Sequence, residues 1–163
     1  MAAPRPLDLA RWQWDRDAER LRALPALLAR KRTRMLASPF GFLRGSAPLF
    51  YRVLRDVPRL ARGPEGTGLL CGDLHLENFG AYRPDRPGPR EARATFDLDD
   101  LDDAFVGPLR LDMLRLVTST LLATRDWGAS PTRSIELAGA LLDGYAKGRE
   151  ARHRHLPRTP GPV

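Results

Sequence analysis

Apolar positions recur at helical spacing over most of the chain. Residues 7–24 carry Leu7, Leu9, Trp12, Trp14, Leu21 and Leu24 among charges, and Pro25 suits the first turn of a new helix. The pattern predicts two short helices meeting there, the second over about 26–37. Ser38-Pro39-Phe40-Gly41-Phe42-Leu43-Arg44-Gly45 then reads as a loop, because a residue before proline is pushed out of helical geometry. Phe40 and Phe42 are expected to anchor it. Over 46–61, Leu49, Phe50, Val53, Leu54 and Val57 predict an amphipathic helix ended by Pro58. Leu111, Leu114, Val117, Leu121 and Leu122 predict another over 109–125, with those residues on its inner face. Ser130-Pro131 caps and opens a last helix with Ile135, Ala138, Leu142 and Tyr145 on one side.

Only Gly68-Leu69-Leu70-Cys71 and Arg93-Ala94-Thr95-Phe96 look like strands. The proline-rich stretch Arg83–Arg90 between them reads as an exposed loop. The class expected is α+β, mostly helical. Three segments follow: N-terminal helices over 1–37, a central subdomain over 38–150, and a disordered tail over 151–163.

Composition narrows the function classes. A chain of 163 residues with 42% hydrophobic residues buries a real core. The net charge of +7 rests almost wholly on arginine, since Lys31 and Lys147 are the only lysines. A nucleic-acid or membrane surface would concentrate that charge; here it is spread along the chain, so neither is expected. Cys71, being alone, excludes an internal disulfide and a cysteine zinc site. No signal-peptide core or membrane-length apolar run occurs, and a cytoplasmic protein is expected.

The candidate chemistry sits where the two strand-like runs end. Cys71-Gly72-Asp73-Leu74-His75-Leu76-Glu77-Asn78 and Phe96-Asp97-Leu98-Asp99-Asp100-Leu101-Asp102-Asp103 bring acids and an amide together. Hard oxygen ligands suit Mg²⁺, which keeps several waters and takes one or two carboxylates plus substrate phosphates. Five aspartates within 97–103 repel one another unless a cation or arginine is near. An EF-hand is excluded: counting from Asp97, Asp102 stands where Gly is needed and Pro108 where Glu is needed. Asp73 also has a plain reading as a turn residue, His75 as a structural brace, and Glu77 as a solvated side chain.

Asp73 and Asn78 stand five apart, the spacing of a kinase catalytic loop. Gly72-Asp73-Leu74-His75-x-x-Asn78 resembles the loop of aminoglycoside phosphotransferases and choline kinases, with Cys71 in place of their first histidine. Asp100-Leu101-Asp102-Asp103-Ala104 followed by Gly107-Pro108 and Leu111-Asp112 resembles their metal-binding strand end and following helix. The chain is more similar still to the bacterial domain of unknown function 2252 family. It shares Ser38–Gly45, Cys71-Gly72-Asp73-x-His75-x-x-Asn78-Phe79-Gly80 and Phe96-Asp97-x-x-Asp100-x-Asp102, and departs from that family at Asp99.

The resemblance implies the C-terminal, catalytic-loop lobe of a protein-kinase-like fold, with a small β-hairpin carrying the site. It implies Mg²⁺ and ATP, and transfer of a phosphoryl group to an unknown hydroxyl acceptor. Asp73 would be the base, Asn78 and Asp100 the metal ligands, with Asp97 and Asp102 as alternatives to Asp100. His75 and Arg44 would be supports, Arg44 as a buried partner of a site carboxylate, and Asp112 would brace the loop. No glycine-rich cover and no strand lysine is present, so the chain is expected to be truncated, or completed by another segment or chain. The alternatives are a non-catalytic binding module and a metallophosphoesterase built on Asp73-x-His75. The latter lacks further histidines except His153 and His155.

Overall fold

A computed structural model describes residues 4–82 and 95–155. Its helices are α1 (Pro6–Arg20), α2 (Pro25–Ala37), α3 (Pro39–Arg44), α4 (Ala47–Asp56), α5 (Arg110–Asp126) and α6 (Pro131–His155). Single turns of 3₁₀-helix cover Pro58–Ala61 and Leu76–Asn78. Its strands are β1 (Thr67–Leu70), β2 (Phe79–Tyr82), β3 (Thr95–Leu98) and β4 (Phe105–Pro108). The chain is thus α+β and mostly helical.

Proline placement explains how so proline-rich a chain stays helical. Pro6, Pro25, Pro39, Pro48 and Pro131 occupy the first turn of α1, α2, α3, α4 and α6, where a missing N–H costs nothing and the fixed φ is already helical. This corrects the loop expected over 38–45. Ser38 is extended, as a pre-proline residue should be, but Pro39 starts α3 and the Ser38 Oγ accepts from Gly41 N at 3.0 Å. Phe40 is buried and Phe42 half-buried. At the other end, α6 runs through His155, into the stretch expected to lack structure, while 156–163 and the whole Arg83–Arg90 loop lie outside the described residues.

The strands pair as two antiparallel ladders rather than one hairpin. β1 pairs with β4, with Leu70 opposite Phe105, and β2 pairs with β3, with Phe79 opposite Leu98. Neither β2 nor β4 was expected as a strand, and the pairing is what brings the site together. Because Leu70 faces Phe105, the excursion from 71 to 104 begins and ends at one place, and the Asp73 loop lies beside the acidic turn.

Helix α5 packs against α3 and α6 with an unexpected face inward. Asp112, Arg115, Leu116, Ser119, Thr120, Ala123 and Thr124 are buried, while Leu111, Leu114 and Leu122 are half-buried and Leu121 exposed. The small hydroxyl residues fit there because their oxygens donate back to the helix. Ser119 and Thr120 bond Leu116 O at 2.7 and 3.0 Å, and Thr124 bonds Thr120 O and Ser134 Oγ at 2.8 Å each. On α6 only Ala138 of the predicted inner set is buried, beside Ser134. The apolar core below the site is Cys71, Leu74 and Leu116, ringed by Leu76, Phe79, Leu98, Met113 and Leu141.

Candidate functional site

The turn after β1 depends on Gly72, whose φ is +84°. A Cβ built there would overlap the carbonyl oxygen of Asp103, so only glycine allows the Asp73 loop to close on the acidic turn. Asp112, buried at the start of α5, accepts from Cys71 N at 2.7 Å and Gly72 N at 3.3 Å, the bracing role expected of it. From the other side the Tyr51 hydroxyl donates to Gly72 O at 2.6 Å. Burial and the Asp112 carboxylate push both the Tyr51 phenol and the Cys71 thiol up, the thiol to about 11, so neither ionises near neutral pH.

Asp73 is held by an arginine that the sequence did not single out. Arg115 Nε donates to Asp73 Oδ1 at 2.9 Å and its Nη2 to the same oxygen. Nη2 also donates to Leu43 O at 2.8 Å, and the guanidinium lies over the Phe50 ring at 5.1 Å. The Arg115 side chain is 0% exposed and that of Asp73 25%. Arg44, expected in this place, is instead 41% exposed and pairs with Glu77 at 2.6 Å. Its position at the last turn of the short α3 leaves it at the cleft rim, whereas α5 runs under the loop. The available signal was Asp112 and Arg115 three apart within an apolar helix, a polar pair on one face.

Burial holds the Asp73 carboxyl above the usual carboxylate range; Arg115 pulls it down, and Asp103 and Asp100 push it back up. Among the described residues no hydrogen bond reaches Asp73 Oδ2. One oxygen is anchored and the other is open for a proton.

His75 is buried, with its ring edge-on to Phe40 at 6.3 Å. Burial first, then Arg44 and Arg115, lower it to about 4, so it is neutral near pH 7. Its backbone N–H donates to Asn78 Oδ1 at 2.6 Å, which makes the 75–78 turn a unit. Asn78 is buried, and its carbonyl accepts from Asp99 N at 2.9 Å, tying the loop to the acidic run.

Within that run the aspartates separate. Asp100 is near enough to raise Asp73, Cys71 and His75, and Asp103 raises Asp73. Asp100 also caps its own turn, accepting from Asp102 N at 3.3 Å. Asp97 sits opposite Gly80 on β3 and accepts from Leu98 N, and Asp102 is exposed. Neither shows an interaction with the Asp73 loop among the described residues. The structure thus brings together Asp73, His75, Asn78 and Asp100, adds Asp103 and Arg115, and leaves Asp97, Asp102 and Arg44 at the margin.

No cluster of three His, Cys, Asp or Glu side chains fit to cage a cation occurs among the described residues. Of the oxygen ligands expected from the sequence, Asn78 is buried with its Oδ1 accepting from His75 N, and Asp100 is exposed. No described helix is long and apolar enough to cross a membrane. Residues 21–155 match the family described as "Uncharacterized protein conserved in bacteria (DUF2252)". No curated protein and no solved structure matches the chain.

Proposed function

The chain belongs to the DUF2252 family, and from that premise we propose that it carries the catalytic-loop half of a Mg²⁺- and ATP-dependent phosphotransferase acting on a hydroxyl acceptor. The observation that carries this reading is the state of Asp73: Oδ1 fixed by Arg115, Oδ2 open, and its carboxyl raised by burial, which suits a general base. Asp73 Oδ2 takes the acceptor's hydroxyl proton as the acceptor's hydroxyl oxygen bonds the γ-phosphorus. The bond from the γ-phosphorus to its bridging oxygen breaks, and ADP leaves with the electron pair. Asn78 and Asp100 are the residues that would hold Mg²⁺, which when bound would offset charge on the phosphates. His75, neutral and buried, serves as a positioning residue.

The chain's two lysines both lie on helices, Lys31 on α2 and Lys147 on α6, and Lys31 is already paired with Asp17 at 2.6 Å. Neither is a strand lysine that grips nucleotide phosphates. On the phosphotransferase reading, a further segment or another chain would have to supply the groups that grip the nucleotide. The same observation favours, as a second reading, a binding module that keeps the fold without turnover.

Calorimetric titration separates these. The phosphotransferase reading expects Mg²⁺-dependent ATP binding that is lost in Asp100→Ala. Absence of nucleotide binding both in this chain and in a longer family member containing it leaves the module. Phosphatase activity with Mn²⁺ and no affinity for ATP would return the site to the metallophosphoesterase class.

A further inference from the structure

The cleft bordered by Asp73 continues between α1 and α2 and encloses about 1230 Å³. Its two ends differ in charge. Asp73, Glu77 and Asp103 lie at one end with Arg44, whereas Arg16, Arg20, Arg30, Lys31 and Arg34 line the other with Asp17 as their single acid.

Part of that charge is spent within the protein. Lys31 pairs with Asp17, and Arg16 lies over the Trp12 ring at 5.7 Å. Arg20, Arg30 and Arg34 are exposed and have no carboxylate partner among the described residues. Arg30 and Arg34 stand four apart on α2, so they leave the helix on one side, and like charges at that spacing oppose the helix they sit on. Gly41 of α3 lies against the Arg34 backbone and Gly45 against the Met35 side chain, so α3 doubles back along α2 and the Asp73 end of the cleft adjoins the turn of α2 that carries Arg34. A cleft with these guanidiniums and Asp73 in one lining suits a small molecule that carries both an oxyanion and a hydroxyl. Guanidinium forks match phosphate oxygens in pairs, which a lysine ammonium does not.

We propose that the Arg20, Arg30 and Arg34 end of this cleft binds the anionic group of the acceptor, so that the hydroxyl substrate is a phosphorylated small molecule presented to Asp73. This rests on the phosphotransferase reading and adds to it the chemical class of the acceptor. A nucleotide polyphosphate offers the same oxyanion chemistry, and the experiment below tells the two sources apart.

Inorganic pyrophosphate is titrated in EDTA at low ionic strength into the wild-type chain, Arg30→Glu/Arg34→Glu, and the control Arg125→Glu/Arg133→Glu, whose sites lie outside the cleft. A single site is expected, weakened at least about tenfold in the first variant and not in the control, with the urea midpoint of the first variant retained. Mg²⁺-ATP affinity, measured in the same proteins, is expected to be indifferent to Arg30→Glu/Arg34→Glu. The proposal is overturned by absent or multi-site pyrophosphate binding, by equal loss in the control, or by equal weakening of Mg²⁺-ATP, which would assign the arginines to the nucleotide. A short single-stranded oligonucleotide that binds more tightly than pyrophosphate, and is lost in the same variant, overturns it in favour of a nucleic-acid surface. If the pyrophosphate site stands but Mg²⁺-ATP does not bind even in a longer family member, the phosphotransferase reading falls and the anion site survives it.

Discussion

Replacing Arg115 by methionine removes the group on which Asp73 rests while keeping most of the volume. Two charge-assisted hydrogen bonds to Asp73 Oδ1 and one bond to Leu43 O are lost. Hydrogen bonds to charged groups contribute about 1.5–3 kcal/mol each, but two donors sharing one oxygen do not add fully. A coupling of about 2–4 kcal/mol between Arg115 and Asp73 follows. The net loss of stability is smaller, about 2–3 kcal/mol, because the buried guanidinium was itself costly to desolvate and its Nη1 has no partner among the described residues. Asp73, being 25% exposed, is also rehydrated once released. With a urea slope of about 1–3 kcal/mol per molar, the midpoint falls by about 1 M.

The same variant makes a sharper test by carboxyl NMR titration. Arg115 lowers the Asp73 pKa against burial, Asp103 and Asp100, so its removal raises that pKa further. A base that holds its proton more tightly is ionised in fewer molecules, and any activity shifts to higher pH. A double-mutant cycle with Asp73→Ala giving less than about 0.5 kcal/mol of coupling, together with an Asp73 pKa that stays or falls, would refute the ion pair as the anchor of the site.

Gly72→Ala puts a Cβ into the Asp103 carbonyl at positive φ and is expected to destabilise by more than about 2 kcal/mol, whereas Gly128→Ala, at φ +79° with open space around it, costs about 1. Thermal denaturation of the pair checks this, and equal losses would mean that the two loops do not touch. His75 has an ordinary pKa of 6.5 when unfolded and about 4 when folded, so between those values it takes up a proton only on unfolding. Stability should therefore decline as pH falls from 6.5 towards 4, by up to about 3 kcal/mol, and His75→Leu should flatten that limb. The raised Asp73 carboxyl acts in the opposite sense, its contribution growing as pH falls through its folded pKa, so the comparison belongs in an Asp73→Asn background. Cys71, buried and with its thiol at about 11, should react with a thiol reagent at pH 8 only after denaturant is added; prompt labelling would mean that β1 frays.

What the sequence revealed and what it hid divide by contact range. Helix starts were legible because Pro25 and Pro131 stand at first turns, and Ser130 caps α6 locally, its Oγ accepting from Arg133 N at 3.2 Å. The bracing of the loop by Asp112 was legible through the family motif. The pairing of β1 with β4 was not, because Leu70 and Phe105 are far apart in sequence and neither Phe105 nor Val106 alternates with polar neighbours. The inward face of α5 was misread for a different reason. Its serines and threonines satisfy their own hydroxyls on the helix backbone, so they enter the core at little cost while leucines remain half-covered.

The choice between Arg44 and Arg115 combines both difficulties. Arg44 sits within a motif, close in sequence to Phe40 and Phe42, and motif membership made it the natural anchor. Arg115 lies 42 residues from Asp73 on a helix read for its leucines, yet an anchor with two donors on one carboxylate oxygen needs a rigid element under the loop, and α5 supplies it. Arg44 is thereby left paired with Glu77, both exposed and both in the lining of the cleft that Asp73 borders. An exposed pair of this kind holds its partners weakly and is screened by salt. The buried pair fixes Asp73, and the exposed one adds little to that hold. That division of labour follows from depth in the fold, a property that local sequence does not carry.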